Sequence, residues 1–184
     1  MANPQRRTVT QVLLDVRSNL DEASASFWSD TQLTAFINHA YHLVWMEVKR
    51  IKADYFTVER TSLDGSITIL GETYATSSFA LVASTTRYTL PPDVAEVKNL
   101  ECITSGYEAV LFTFRDQTDP QFQALRQWSD AVEPTGFLVD LTGERTMVIA
   151  PKPNRALDLR LTYVPILDNL TTGTDTLQLP HPCG

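Results

Sequence analysis

The first fifty residues carry hydrophobic residues at the spacing of amphipathic helices. Near the start, apolar positions recur every three or four residues: Val9, Val12, Leu13, Val16 and Leu20. Thr8 and Gln11 have the spacing of a capping box, and Ser29 and Gln32 repeat that spacing before a second apolar segment. Small polar residues between the two segments are typical of a short loop. The sequence therefore predicts an antiparallel helix pair over residues 8–53.

The second helix has a wider apolar face than one core requires. A step of 100° per residue aligns one stripe of side chains that we expect to be ordinary core: Leu33, Phe36, Ile37, Ala40, Tyr41, Val44, Val48 and Ile51. Leu43 and Trp45 extend the apolar arc to about 200°, and Met46 lies on the far side. This surplus is buried either within the monomer, under a β layer, or against a neighbouring subunit. The second alternative gives a candidate intersubunit interface: Tyr41, Leu43, Trp45 and Met46.

From about Thr61 the pattern changes to that of β-strands. Ser, Thr and β-branched residues dominate as far as Thr86, which favours strands and hairpins. A strand over residues 97–103 is expected to pair with residues 107–114. Three antiparallel strands are expected over residues 136–165, because two turn-like breaks separate its apolar runs. The third strand alternates, with one set of side chains facing the core: Leu157, Leu159, Leu161 and Tyr163.

One short helix interrupts the β region. Pro120 has the place of a first helical residue and Asp119 that of its cap, which predicts a helix near residues 119–129. The predicted fold class is α+β, with an N-terminal antiparallel helix pair packed with an antiparallel β-rich module that carries this inserted helix. The expected domains are a helical hairpin over residues 1–56 and a β module over residues 57–184.

Composition excludes several classes of function. The formal charge of −7 and the pI of about 4.9 argue against a protein that grips nucleic-acid phosphates, and Arg6-Arg7 and Lys49-Arg50 are too small for a basic patch. No apolar run approaches the roughly 20 residues that cross a bilayer. The N-terminus lacks the apolar centre of a signal peptide, so we expect a protein made in the cytoplasm.

Motifs for catalysis or metal binding are weak throughout the sequence. His39 and His42 stand three residues apart on the second helix, but no suitable third ligand accompanies them. A hydrolytic carboxylate pair could be drawn from four acids that resemble ordinary turn residues: Glu101, Glu108, Asp116 and Asp119. The glycines do not have the spacing of a glycine-rich phosphate-binding loop. Cys102 and Cys183 are expected to be free thiols. We therefore expect no catalytic residue, no metal and no cofactor.

Three stretches of the sequence resemble one protein family. "FWSDTQLTAFINHAYHLVW" is similar to the second helix of tailed-phage head-to-tail adaptor, or connector, proteins. "YTLPPDVAEVKNLECI" resembles their Leu-Pro strand turn, and "PTGFLVDLTGERTMVIAPKPNRALDLRLTYVPILDNL" followed by "LQLP" resembles their closing β-meander. The resemblance extends over nearly the whole chain.

The resemblance implies a structural, non-enzymatic protein of the virion neck that is made in the host cytoplasm. Its partners would be the portal protein and a tail or head-completion protein below it. Its own copies would form a ring, dodecameric to match a portal, and DNA would pass through the channel during genome ejection without sequence-specific binding. No cofactor or membrane is implied. Such chains commonly continue into a further helix or tail that reaches the portal, so here either residues follow Gly184 or other parts contact the portal.

Two alternatives belong to other functional classes. A virion-associated peptidoglycan hydrolase would need a pocket that holds two close carboxylates, at least one of them with a raised pKa. A β-rich module of the tail or baseplate would be a monomer or trimer rather than a large ring.

Overall fold

The computed structural model describes residues 7–22, 27–69, 72–106, 110–114, 118–127, 134–140, 145–171, 173–175 and 177. Contacts divide the chain into two compact units. The helical unit comprises Met1–Tyr55 and Leu167–Gly184, and the β unit comprises Phe56–Ile166. Helices and mainly antiparallel sheets occur in succession, and the predicted α+β class is confirmed.

Two capped helices form the frame of the helical unit. Helix α1 spans Val9–Asn19 and helix α2 spans Asp30–Ile51. At the start of α1, the Gln11 amide donates to the Thr8 hydroxyl (3.3 Å), and the Thr8 amide donates to the Gln11 side chain (3.0 Å). Ser29 and Gln32 make the same pair of bonds before α2. Both predicted capping boxes are confirmed, and each satisfies amides that a helix start leaves without partners.

A buried arginine holds the two helices together at their connection. The Arg17 guanidinium donates to the Trp28 carbonyl (2.9 Å) and to the Asp30 carboxylate (2.6 Å), and lies 3.5 Å from the Glu22 carboxylate. Glu22 also accepts from the Phe27 and Trp28 amides. Since Arg17 is near the end of α1 and Asp30 begins α2, these contacts place the two helix ends together. The helix pair is therefore antiparallel, as predicted.

Residues after Ile166 complete the helical unit. The Asn38 side chain exchanges two hydrogen bonds with the backbone of Leu170, at 2.9 and 2.8 Å. The Leu177 amide donates to the Arg7 carbonyl at 3.0 Å. The hydrophobic cluster of this unit combines both parts of the chain: Val9, Ile37, Tyr41, Leu167 and Leu170, with Val12, Leu13, Val16, Trp45 and Leu177 packed against them. The segment Leu167–Leu177 thus covers a side of the helices that α1 does not.

The described part of the β unit contains ten strands: β1 (Val58–Thr61), β2 (Ser66–Ile69), β3 (Glu72–Ala75), β4 (Arg87–Thr89), β5 (Val94–Cys102), β6 (Val110–Leu111), β7 (Thr113–Phe114), β8 (Gly136–Asp140), β9 (Thr146–Ala150) and β10 (Leu159–Pro165). They form sheets in the orders β1-β10-β5-β6, β4-β9-β8-β7 and β2-β3. Pairing is antiparallel except between β7 and β8. Two 3-10 turns span Ala53–Phe56 and Thr76–Phe79.

The core of the β unit combines side chains from both four-stranded sheets. Leu159, Leu161 and Tyr163 of β10 are fully buried in it, which confirms the predicted alternation. The predicted pairing of the strand over 97–103 with the next segment is also confirmed, since Glu101 lies opposite Leu111. The prediction of three consecutive antiparallel strands over residues 136–165 is wrong in one respect. β8 and β9 pair with each other, but β10 pairs with β1 and β5 in the other sheet.

Strand β9 is buried on both of its faces. All five of its residues are buried, with Met147 and Ile149 in the main core and Val148 and Ala150 in a second cluster with Phe122. Phe122 belongs to helix α3, which spans Pro120–Gln127. The Asp119 carboxylate caps this helix by accepting from the Gln121 amide at 2.8 Å. The predicted short helix is confirmed over the described residues, and it covers the outer face of β9.

Candidate functional site

Helix α2 is twice as long as the helix that packs against it. The 22 residues of α2 span about 33 Å, whereas the 11 residues of α1 span about 16 Å. Because the helices are antiparallel, α1 lies along only about half of α2. The C-terminal half of α2 therefore lacks α1 as a cover on that side.

A stripe of apolar side chains is exposed along one face of α2, from its N-terminal half to its last residue. Phe36 is 56% exposed, Val44 is 45% exposed and Ile51 is 78% exposed. Ala40 is also exposed. The prediction that these four residues belong to an ordinary core is wrong. The buried arc of α2 contains Leu33, Ile37 and Tyr41. It lies next to Asn38, on the side of the helix where Leu167, Leu170 and Leu177 pack.

The four residues of the candidate intersubunit interface lie in different environments. Tyr41 is 3% exposed and Trp45 is half-buried, and both contribute to the hydrophobic cluster of the helical unit. The Lys49 ammonium lies 5.4 Å from the centre of the Trp45 ring. Leu43 and Met46 are 46% and 51% exposed. By helical geometry Leu43 adjoins the exposed stripe, whereas Met46 points about 80° or more away from each of its four residues.

The N-terminal half of the same α2 face is shaped as a groove. Its volume is about 360 Å³, and its lining is entirely apolar: Val16, Leu20, Trp28, Leu33, Phe36, Ile37 and Ala40. The Trp28 ring meets the Phe36 ring edge to face, with centroids 5.6 Å apart. We call this concavity the apolar groove. Six of the seven lining residues belong to the periodic apolar patterns of the two helices, but periodicity did not predict that they enclose a concavity with Trp28 of the connection.

The opposite side of the helix pair has a larger cleft whose lining mixes apolar and polar side chains. Its volume is about 850 Å³, and α1, α2 and the segment after Leu170 surround it. Its polar side chains serve the fold: the Thr10 hydroxyl donates to the Gly173 carbonyl (2.9 Å), and Asn38 holds Leu170. This cleft holds the chain segments together, and the Arg17–Asp30 ion pair that lines it joins the ends of the two helices.

The residues considered for chemistry have structural roles or lie apart. His42 forms a hydrogen bond with the Asn169 side chain at 2.8 Å, and His39 is exposed. The Arg160 guanidinium donates to the Glu101 carboxylate at 2.7 Å, and Asp119 is a helix cap. Glu108, Asp116 and Cys183 lie outside the described residues, and Cys102 is a buried free thiol. Within the described ranges, no three His, Cys, Asp or Glu side chains gather as metal ligands.

Among the residues that the structure describes, the pKa is raised most at a buried tyrosine of the β unit. Burial, reinforced by the negative charge of Asp93, raises the pKa of the Tyr163 hydroxyl well above its usual range. This hydroxyl donates to the Asp93 carboxylate at 3.0 Å. Burial also raises the pKa of Tyr88, whose hydroxyl donates to the Thr85 carbonyl at 2.7 Å. Such groups stay neutral at physiological pH and tie strands to turns, so they favour a structural role over proton transfer.

A mixed α+β chain with an exposed apolar helix face is typical of a subunit in a larger assembly. The model of the family described as SU10 adaptor protein matches residues 7–182, and the chain belongs to this family of phage adaptor proteins. It is thus a structural protein of the bacteriophage virion, as the sequence resemblance implied. No curated protein matches the sequence. Along the described residues, no helix combines the length and apolarity required to cross a membrane.

Proposed function

We propose that this protein is a non-enzymatic head-to-tail adaptor whose copies form a closed ring between the portal and the tail. The observation that carries the proposal is the family match over residues 7–182. Copies of the chain would meet through the exposed apolar side of α2. A tail or head-completion protein would bind on the side of the ring away from the portal.

The exposed face supports a ring because several large apolar side chains are exposed together on one helix. Phe36, Leu43, Val44 and Ile51 form one continuous stripe, and patches of this kind commonly mark protein–protein contacts. A contact between unlike surfaces of identical subunits either closes into a ring or extends into a filament. A portal of fixed symmetry would favour closure, with twelve copies for a dodecameric portal.

The charge of the protein supports a channel through which DNA slides. The formal net charge is −7, and each phosphate contact made by Lys or Arg strengthens DNA binding. An acidic ring would bind the DNA backbone weakly, so that DNA could pass during ejection without being held.

The proposal is tested by mixing the purified protein with purified portal and imaging the complex by electron cryomicroscopy. We expect a ring of this chain on one face of the portal, and the same density in the neck of intact particles. Density at a fibre tip or baseplate would contradict the proposal. So would cleavage of cell-wall polymer that is lost when Glu101 is changed to Gln.

A further inference from the structure

We infer that the β2–β3 hairpin of one copy pairs edge to edge with the hairpin of the next copy, so that β2 lies antiparallel to the neighbouring β3. This inference rests on the proposed ring and adds to it a contact between copies within the β unit. The two edges are different surfaces of the same hairpin. The contact can therefore repeat from copy to copy in the head-to-tail manner that a ring requires.

The register of the hairpin determines which backbone groups point away from it. Pairing runs along both strands without a shift, and the Thr76 amide donates to the Gly65 carbonyl at 2.9 Å. Hydrogen-bonded and non-hydrogen-bonded positions alternate along an antiparallel pair. The amides and carbonyls of Ser66 and Thr68 on β2, and of Thr73 on β3, therefore point outward. Among the described residues, none outside the hairpin forms a hydrogen bond with these three.

Neither edge of the hairpin has the features that usually keep sheet edges apart. β2 and β3 contain no proline, lysine or bulge, and Glu72, beside the turn, is their one charged residue. The face of the hairpin that is turned to solvent has only small, exposed side chains: Ser66, Thr68, Thr73 and Ala75. A neutral edge of this kind is a template for pairing with another strand.

Two other sheet edges in the same unit are protected. At the outer edge of β1, the Thr61 amide donates to the Asp64 carboxylate at 2.7 Å. At the outer edge of β4, the Thr89 carbonyl accepts from the Tyr74 hydroxyl at 2.8 Å. Side chains there occupy backbone groups that an added strand would need. Within the described part of the chain, the hairpin edges lack this protection.

Side chains on the other face of the hairpin hold it on the β unit. Ile69 is 6% exposed, and the Tyr74 ring packs against the main core. The hydrogen bond from Tyr74 to Thr89 also ties β3 to β4. The two edges thus belong to an anchored element, and pairing with a neighbour needs no rearrangement of the core.

A second copy is the partner because each copy has both of the edges that the contact uses. Pairing of β2 with the next β3 repeats the antiparallel arrangement within the hairpin, and closure of the ring leaves no hairpin edge unpaired. A two-fold contact between two β2 strands, or between two β3 strands, would leave half of the edges unpaired. Ring closure therefore favours the contact between β2 and β3.

Cross-linking of two proteins with one added cysteine each tests the contact. Thr68→Cys places a thiol on β2 and Thr73→Cys places one on β3, each in a Cys183→Ser background. The two proteins are mixed with purified portal and mildly oxidised, and we expect a disulfide-linked dimer in the mixture and none with either protein alone. Ser66→Cys replaces Thr68→Cys in a second mixture, because a shift in register brings position 66 opposite position 73.

Each outcome of the cross-linking decides between contacts. A dimer of Thr68→Cys alone would show a two-fold contact between β2 strands and would overturn the inference. The absence of a dimer from both mixtures would also overturn it. Circular dichroism of each variant checks that it is folded.

Thr68→Pro tests whether the backbone makes the contact. Its amide points outward, so proline removes a donor that the neighbouring copy would use, and edge strands tolerate proline at such positions. We expect a folded protein by circular dichroism and a yield of rings on the portal that is at least roughly tenfold lower. Thr68→Val is the matched control, because it keeps the amide and the β-branched shape. Equal yields of rings with the two variants would refute pairing through the backbone.

The portal experiment separates this inference from the proposed function. A ring on the portal that does not cross-link between β2 and β3 would retain the adaptor function and overturn the hairpin contact. Cross-linking in the mixture without any ring on the portal would retain the hairpin contact and overturn the adaptor function.

Discussion

The helical unit and the β unit bury their apolar side chains to very different extents. Twelve large apolar side chains are exposed among the described residues, and nine of them lie in the helical unit although it is the smaller of the two. The β unit contributes Leu63, Val82 and Ile166. Its two larger sheets share one core, and α3 covers the outer face of β9. The β unit is thus packed as a self-sufficient domain, whereas the helical unit leaves a face available for association.

The largest loss of stability is expected from a substitution in the fully buried core of the β unit. Leu161→Ala removes a fully buried side chain of β10, and we expect the free energy of unfolding to fall by about 2–5 kcal/mol. Urea unfolding followed by circular dichroism measures this loss. Leu63→Ala is the matched control, because Leu63 is 66% exposed, and its effect should stay within about 0.5 kcal/mol. Equal losses would mean that the β unit is not packed as described.

The next largest effect is expected at the connection between the two helices. Arg17→Met leaves the Glu22 carboxylate, whose side chain is only 10% exposed, without its nearest cation. Removing one partner of a buried ion pair is costly, so we expect a loss of roughly 3 kcal/mol in the stability of the helical unit. In a Trp128→Phe background, which removes the third tryptophan, the fluorescence of Trp28 and Trp45 during urea unfolding reports on this unit.

A surface ion pair between Asp15 of the same helix and Arg7, which precedes it, supplies the control for Arg17. Arg7 pairs with Asp15 where both side chains are more than half exposed. Exposed pairs contribute little because water and salt screen them, so Arg7→Met should change stability by less than about 1 kcal/mol. A comparable loss of stability in both variants would contradict the role of Arg17 as a buried residue that holds the two helices together.

A smaller effect, dependent on pH, is expected at Tyr163. Its pKa is raised in the folded protein, so the neutral form is favoured and the associated stability is present below pH 10. That stability is lost as pH rises above the ordinary tyrosine pKa of about 10. Tyr163→Phe should cost about 1–2 kcal/mol at pH 8, because the Asp93 carboxylate loses a donor, and the difference from the unmodified protein should narrow at pH 11. Urea unfolding at both pH values measures the difference in free energy of unfolding between the two proteins. A difference that is larger at pH 11 than at pH 8 would contradict the stabilising role of the neutral tyrosine.

The smallest effect on stability is expected on the exposed side of α2. Leu43→Asp should change the free energy of unfolding by about 0.5 kcal/mol or less, since the side chain is already 46% exposed. The same change should abolish association of copies, because a carboxylate would be desolvated in the contact. Met46→Asp is the matched control, at 51% exposure on the same helix. Sedimentation of both variants with portal compares them, and equal loss would extend the interface to Met46.

Local signals in the sequence predicted the three helices and their starts correctly. The capping boxes at Thr8 and Ser29, and the cap at Asp119, depend on residues within one turn of each other. The alternation in β10 marks its buried face in the same way. The alternation does not specify which sheet receives the strand, because a strand between β1 and β5 has the same period as one beside β9. The pairing of β10 with the distant strands β1 and β5 was therefore not predicted.

The exposed face of α2 could be predicted only in part, for a related reason. Periodicity showed that the apolar arc is too wide, and Leu43 lies on the exposed face as expected. It did not show which part of the arc is covered, because the covering segment is distant in sequence. Leu170, which pairs with Asn38, is 132 residues away from it. Tyr41 and Trp45 therefore belong to the cluster of the helical unit, while Phe36 and Ile51 lie in the open.

The packing of Leu167–Leu177 on the helices has a consequence for the order of events during synthesis. On the order of 100 residues of the β unit separate α2 from this segment in the chain. At the roughly 5–20 residues per second of translation, the ribosome needs about 5–20 s to make them. During that interval Asn38 has no Leu170 backbone to pair with, and the hydrophobic cluster around Tyr41 is incomplete. The helices therefore reach their final packing only after the β unit has been made. Until then, nascent chains on neighbouring ribosomes do not have the packed helical unit through which copies would associate.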